Sequence, residues 1–462
     1  MSGRVQRPAG CRGWGAGRWV AGLAVALCAC GHLTAEGPEP TAVDRAPQVE
    51  TSLPRPAPLP KSGRPLDAGE VARLAVARNP ELRGLRARHG VAAAQLVGAG
   101  LLPDPELTLD ADHPTSGDGS EVNAWSATLT LPVGPVVTRG RRRAAAEARL
   151  HRVDLEVAWQ EWQVAAEARS RFVDASTAER RLALLTEAAT EVAALYRRAK
   201  ETLAGGRVQL APVADELAAT LALEARRDRT ERDLADGRER LRALLDLEAE
   251  APLRLAAAPL PLPPDAAAVA DAVATVASRR PDLRGLAAGR EAATERERAA
   301  RLRRFPAIAI DLHTGRETDA TETVGGGITL RLPLFNNYRG EVAAARAQRV
   351  QLTAEVTARL TATRNDAARL VRRARLIGTE LTRLHRREGE VASLAARART
   401  AFARHRIDAR AYLAVERALL DLHLRQIRLA GDRAQVAIAL DTLLARPVAT
   451  GREASRADAE AR

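Results

Sequence analysis

The sequence RLPLFNNYRGEVAAARAQR, residues 331–349, passes from one kind of secondary structure to another. It begins as the end of an alternating apolar segment, two asparagines then favour a turn, and Gly340 opens an alanine- and arginine-rich stretch. The sequence LTLPVGPVVTRGRRRAAAEARL, residues 129–150, has the same order, with Gly140 opening its second part. Because the hydrophobic period changes from two residues to 3.6 at both places, we predict two junctions between a strand and a long helix.

The two junctions belong to an internal duplication. Residues 79–85 (NPELRGL) match residues 280–286 (RPDLRGL) at five of seven positions, with an offset of 201. The alanine triplet at 144–146 matches the one at 343–345 with an offset of 199. A nearly constant offset over most of the chain implies that one structural unit occurs twice.

Four segments alternate between apolar and polar residues, as membrane-barrel strands do. They cover residues 106–113, 124–132, 306–314 and 323–333. The same alternation also describes a sheet with one face on a core and the other in water. The rest of the chain offers no bulky core for such a sheet, so we favour the membrane interpretation. Since a closed barrel needs ~8 strands and open edges are excluded from lipid, several chains must share one barrel.

Long helices make up most of the remainder. Residues 141–203 and 341–402 contain no proline, and helices of this length reach ~90 Å. Shorter helices at 211–247 and 409–446 are predicted to return along them. Apolar residues recur at intervals of seven, which predicts coiled-coil packing. In the last helix they are Val415, Leu422, Leu429, Val436 and Leu443.

The N-terminal segment has the pattern of an export signal. Residues 1–30 contain four arginines and an apolar run at 19–30. This run is too short to span a bilayer, which takes a helix of ~20 residues. The sequence LCAC at 27–30 resembles a bacterial lipobox and favours acylation of Cys30; cleavage after Ala35 without a lipid is the alternative. All three cysteines lie in this segment, so we expect no disulfide or thiolate metal site in the mature body.

These features divide the chain into six predicted segments. They are a signal peptide with a lipobox (1–30), a proline-rich tether (31–66), a first repeat (67–250), a proline-rich joint (251–264), a second repeat (265–446) and a polar tail (447–462).

Composition and motifs argue against nucleic-acid binding and against catalysis. The net charge is +13, but the arginines are mixed with acids, as in RRDRTERD at 226–233, and only 3% of residues are aromatic. Such mixing is typical of solvated helix faces. No nucleotide-binding or hydrolase motif occurs, and His385 and His405 are too far apart for a helical metal site. We therefore expect neither an enzyme nor a cofactor.

The lipobox, the duplicated units and the sequence LPLF at 332–335 together resemble the TolC family of outer-membrane efflux channels, over residues 67–446. The resemblance implies a mainly α protein with membrane β-structure. Three chains would combine four strands each into a twelve-stranded β-barrel, and their duplicated coiled-coil helices would form a periplasmic α-barrel. It also implies a lipid-anchored, passive outer-membrane duct, with a periplasmic adaptor and a proton-driven inner-membrane pump as partners.

Within that family, the junction at 332–343 is similar to the heavy-metal branch, which exports cobalt, zinc and cadmium or copper and silver. GRRR at 140–143 is similar to the same branch, and the Asp-Leu-Phe-Gly-Arg run typical of drug efflux is missing. We therefore favour heavy-metal cations as the exported solute. Drug efflux and type I protein secretion remain alternatives, and a soluble basic coiled-coil scaffold or nucleic-acid-binding protein is a remote one.

The resemblance places adaptor docking at the two tips where the long helices reverse. Leu203, Gly206 and Val208 fit the family pattern, whereas His405 takes the place of the glycine at the second tip. The predicted docking residues are Gly205, Gly206, Arg207, Val208, His405, Arg406 and Ile407. Asp408 is our candidate for the aperture, and capping of the returning helix explains it equally well. The barrel-lumen candidates are Thr108, Asp110, Ser126, Thr128, Asp311, His313 and Thr329.

Overall fold

The computed structural model describes residues 64–116, 120–205 and 210–446. Its helices are α1 (Ala68–Arg78), α2 (Pro80–Gly100), α3 (Gly134–Ala204), α4 (Leu210–Leu244), α5 (Ala266–Arg279), α6 (Pro281–Leu302), α7 (Arg339–Ala403) and α8 (Ala409–Leu443). Its strands are β1 (Glu106–Asp112), β2 (Ala124–Pro132), β3 (Ala307–Arg316) and β4 (Glu322–Arg331). The predicted mainly helical fold with four strands and duplicated long helices is confirmed.

Each repeat opens with two short helices. The break falls at Asn79 in the first repeat and at Arg280 in the second, and both residues precede a proline. Proline disfavours helical geometry in the residue before it but fits the first helical position. The repeated motif is therefore a helix boundary, at which Asn79 also accepts a hydrogen bond from the Leu82 N–H at 3.0 Å.

The strands form one antiparallel sheet in the order β1-β2-β3-β4. The pairing of β2 with β3 joins the two repeats, and its register places Leu129 opposite Leu312. Within the described residues, β1 and β4 each have one edge without a partner strand. The sheet of one chain is therefore open at both sides.

The first long helix begins earlier than predicted. Gly140 lies inside α3, which begins at Gly134 directly after β2, so the assignment of Gly140 as the opening residue was wrong. Pro135 occupies the first turn, where its fixed φ and missing N–H are tolerated. A glycine inside a helix costs only about 1 kcal/mol relative to alanine, so Gly140 does not end the element. In the second repeat, α7 begins at Arg339, beside the predicted Gly340.

The helices α2, α3, α6 and α7 pack side by side in one layer next to the sheet, and we call this layer the wall. Neighbouring contacts give the order α2, α3, α6 and α7, with α4 packed on α3 and α8 packed on both α7 and α3. By length, α3 and α7 extend ~107 Å and ~98 Å at 1.5 Å per residue. The wall therefore continues the sheet far beyond the dimensions of a compact core.

Leucines at equivalent positions of the two repeats are buried at the C-terminal ends of α4 and α8. Leu241 and Leu245 are fully buried in the first repeat, as are Leu440 and Leu444 in the second. The first pair packs with Phe172 of α3 and with α1, whereas the second packs with α5 and α7. Leu241 and Leu440, like Leu245 and Leu444, are 199 residues apart, so these leucines occupy equivalent packing sites in the two repeats.

A buried network of ion pairs and hydrogen bonds stabilises the second repeat near Leu440 and Leu444. Arg280 donates to both carboxylate oxygens of Asp282, at 2.7 and 2.8 Å, and to the Thr363 hydroxyl at 2.7 Å. Arg359 donates to the same carboxylate at 2.9 Å, and the Arg280 guanidinium lies 4.9 Å from the centre of the Trp159 ring. Burial opposes ionisation of Asp282, but the hydrogen bonds from the two arginines outweigh it and keep its pKa below the usual value.

Candidate functional site

The strand register places all seven predicted lumen residues on one face of the sheet. Thr108 pairs with Thr128, and Thr128 pairs with His313. Asp110 pairs with Ser126 in the next row. Because directly paired residues point to the same face, these side chains form rows across the sheet. The remaining two, Asp311 and Thr329, lie on the same face by the alternation of strand side chains.

Hydrogen bonds link these polar side chains across the strands. Asp311 accepts from the Thr130 hydroxyl at 2.6 Å and from the Thr329 hydroxyl at 2.5 Å. The Ser126 hydroxyl donates to Asp110 at 3.2 Å. The polar face therefore includes a connected network centred on Asp311, in which Thr130 takes part although the sequence analysis did not select it.

Two glycines on this face make room for neighbouring groups. A Cβ at Gly325 would lie 2.5 Å from His313 Nε2, so the imidazole lies over the glycine. A Cβ at Gly315 would lie 2.7 Å from the Trp125 carbonyl oxygen, which is backbone and cannot turn aside. The glycines of β4 thus leave room for the His313 side chain on the neighbouring strand. Because the Gly325–Gly327 run lies inside a strand and not before a helix, it does not form a phosphate-binding loop.

The opposite face of the sheet is apolar and exposed. Leu109 is 69% exposed, Val324 88% and Ile328 71%. The other large apolar residues on this face, exposed by 40–61%, are Leu107, Trp125, Leu131, Ile308, Ile310, Leu312 and Leu330. A contiguous apolar surface of this kind marks contact with a membrane or with another protein.

At the second tip, α7 ends in a Schellman motif with a histidine in the position that glycine usually takes. His405 has φ +56°, its N–H donates to the Phe402 carbonyl at 2.9 Å, and the Arg406 N–H donates to the Ala401 carbonyl at 2.8 Å. These two bonds define the motif, and a left-handed residue that is not glycine is strained. The departure from the family pattern therefore preserves the turn.

Asp408 acts as the N-cap of α8. Its side chain accepts a hydrogen bond from the Ala411 N–H at 2.8 Å. Beside it, the rings of Phe402 and Tyr412 stack with centroids 4.7 Å apart. Capping thus accounts for Asp408 locally, and a role at the aperture remains a prediction.

The first tip and the lipid site are described only in part. Gly205 follows the end of α3, and its N–H donates to the Glu201 carbonyl at 3.2 Å. Gly206, Arg207, Val208 and Cys30 lie outside the described residues. Docking at this tip and acylation of Cys30 therefore stay predictions.

No group of three or more histidines, cysteines or acids among the described residues is placed to hold a metal ion. None of the described helices has both the length and the apolar character needed to cross a membrane.

A large concavity lies where the sheet meets the helices. Its volume is about 1530 Å³, and it is lined by the ends of β2 and β4, the start of β3, the first turns of α3 and α7, and the end of α6. Its charged lining residues are Arg142, Arg149, Arg296, Arg303, Arg331 and Glu341. Thr329 and Ala309 are also in the lining, so the concavity opens on the polar face of the sheet. The sequence analysis missed this basic concavity.

Comparison with solved structures identifies the fold. CusC, in a crystal-structure study of its folding and transmembrane channel formation, matches with a TM-score of 0.68 and 14% identity over 82% of this chain and 91% of that one. The CmeC outer-membrane channel of Campylobacter jejuni matches with a TM-score of 0.68 and 13% identity, over 85% of this chain and 89% of that one. This chain has the fold of outer-membrane channels.

A third match has the same character. The open state of the MtrE outer-membrane channel of Neisseria gonorrhoeae gives a TM-score of 0.65 and 16% identity, over 82% of this chain and 88% of that one. No family model and no curated protein matches the sequence itself. This chain therefore resembles these channels in fold, whereas its sequence identity to them is low.

Proposed function

We propose that this protein is the outer-membrane duct of a tripartite efflux system of the TolC family. The observation that carries the proposal is the open four-stranded sheet, with an exposed apolar face, a hydrogen-bonded polar face and unpartnered edges at β1 and β4 within the described residues. Unsatisfied strand edges are excluded from lipid, so the sheet has to be completed by further copies. Three copies supply twelve strands, which is enough to close a membrane barrel.

The helical wall then extends the duct into the periplasm. The α3–α4 and α7–α8 tips face away from the sheet, at the distant ends of helices that extend ~100 Å. We propose that a periplasmic adaptor docks at these tips, at Gly205–Val208 in the first and His405–Ile407 in the second. A proton-driven inner-membrane pump would supply the energy, and acylation of Cys30 would anchor the N-terminus.

Heavy-metal cations are the solute class that we propose, on the similarity of the junction sequences to the heavy-metal branch. A strain that lacks the gene should become sensitive to those metals, and the wild-type gene should restore growth. Sensitivity to drugs alone would replace the metal assignment while leaving the duct intact. Loss of a secreted protein alone would favour type I secretion instead.

The duct itself is tested by the assembly of the purified full chain. Native mass measurement in detergent should give a trimer, and reconstituted protein should permeabilise liposomes once opened. A water-soluble monomer would refute the proposal. A matched test uses Gly206→Trp at the first tip and Gly140→Trp at an exposed position of α3, where an added Cβ would have no neighbour within 4 Å. We expect the first change to abolish resistance without loss of the trimer and the second to preserve both.

A further inference from the structure

The basic concavity has a charge imbalance that its own side chains do not neutralise. Five arginines line it, and the single acidic lining residue, Glu341, is already paired with Arg303 at 2.8 Å. Among the described residues, no ion pair involves Arg142, Arg149, Arg296 or Arg331. Elsewhere on the wall, arginines are commonly paired, as Arg238 is with Glu179 at 2.6 Å.

Two of these arginines, Arg142 and Arg296, are half-buried. Arg142 Nε is buried without a hydrogen-bond partner in the described structure, and its NH2 group reaches only the Pro135 carbonyl at 3.4 Å. Burial, together with repulsion from Arg149 and Arg152, lowers the pKa of Arg296. An unused donor and mutual repulsion are both relieved when an anion enters.

We propose that this concavity is a binding site for anionic groups, namely carboxylate, sulfonate or phosphate groups on small solutes. Guanidinium groups match such anions in charge and in hydrogen-bond geometry. The site opens on the same face as the polar rows of the sheet, so it lies on the surface that the proposed duct would present to its contents. In that position the site would bind the anionic groups of a passing solute; this part of the inference rests on the proposed function.

A single introduced thiol measures the local potential directly. The natural cysteines are at positions 11, 28 and 30, so Gln351→Cys places the only thiol of residues 31–462 on the concavity lining. The purified full chain is treated with negative sulfonatoethyl methanethiosulfonate or with its positive trimethylammonium analogue. The chain without the Gln351→Cys substitution gives the background, and Ala222→Cys, on an exposed part of α4, gives the reference ratio.

We expect the rate ratio of the negative to the positive reagent to be at least about tenfold higher at position 351 than at 222, since clefts of one sign concentrate counter-ions by such factors. High salt should reduce the preference. Neutralising Arg149→Gln with Arg296→Gln should lower the ratio several-fold. The matched pair Arg372→Gln with Arg373→Gln, on the exposed face of α7, should leave it unchanged.

Equal ratios at the two introduced thiols, no change in the Arg149 and Arg296 double variant, or no reaction of the thiol at position 351 would each overturn the site. Far-UV circular dichroism checks that every variant is folded, and the single variant Arg149→Gln replaces the double if that fails to fold. The measurement needs no open duct. A trimer without the preference therefore refutes only the anion site, whereas a monomer that retains it refutes only the duct.

Discussion

Replacing Asp282 with asparagine should destabilise the protein strongly. The change keeps the side-chain shape but removes the charge that Arg280 contacts through two hydrogen bonds and Arg359 through a third. Asp282 is 8% exposed and Arg280 is 5% exposed, so solvent screens little of the loss. Breaking a buried pair from one side costs about 3–5 kcal/mol. The apparent melting temperature of the helical signal should then fall by roughly 5–15 °C.

The matched control is Asp366→Asn, also an acid that pairs with an arginine of a long helix. Its pair with Arg369 is 3.0 Å long, but the two side chains are 45% and 71% exposed, so we expect a loss of at most about 1 kcal/mol. The pKa of Asp282 is lowered in the folded state, so its contribution is present above the unfolded value of about 3.9 and is lost as pH falls through the folded pKa. Wild type and Asp282→Asn should therefore converge in strongly acidic buffer. Equal melting of the two asparagine variants at neutral pH would refute the reasoning.

Three further changes test local features. His405→Gly should stabilise the second tip by about 0.5–1 kcal/mol, because glycine relieves the strain of the left-handed backbone at some entropic cost. Hydrogen exchange of the backbone amides at the tip should then become slower, and faster exchange would contradict this prediction. Gly315→Ala should reduce barrel assembly more than Gly325→Ala, because the first meets a backbone carbonyl and the second a movable imidazole; heat resistance of the trimer on gels compares them, and the reverse order would be inconsistent with the register. Asp408→Ala should cost about 1 kcal/mol as a lost N-cap without changing conduction, whereas altered conduction would favour the aperture role.

The fold could be predicted from the sequence where periodicity was strong. Strand β2 was predicted at 124–132 and found at Ala124–Pro132, because its alternation is uninterrupted. Prediction failed where a single residue was given too much weight. Gly140 was predicted to begin the helix. The helix begins at Gly134 instead, with Pro135 in its first turn, where the restricted backbone of proline is favourable.

Site residues could be predicted only where a pattern within a single strand or helix reveals them. The lumen candidates follow from the alternation within each strand, and the register then aligns them. The basic concavity combines Arg149 of α3, Arg296 of α6 and Arg331 of β4, which are far apart in the chain. Among the many arginines of this sequence, nothing local distinguishes these from residues of a solvated helix face. Only the order of the helices and strands brings them together.

The even number of strands has a consequence for how copies can be added side by side. In the order β1-β2-β3-β4, with every neighbour antiparallel, the two border strands run in opposite directions. In the proposed ring, a β4 edge would therefore meet the β1 edge of an identical neighbour in antiparallel fashion, for any number of copies. Strand direction thus leaves the size of the ring undetermined. In the proposed duct, the packing angles between the helices would set the curvature of the wall and so the number of copies.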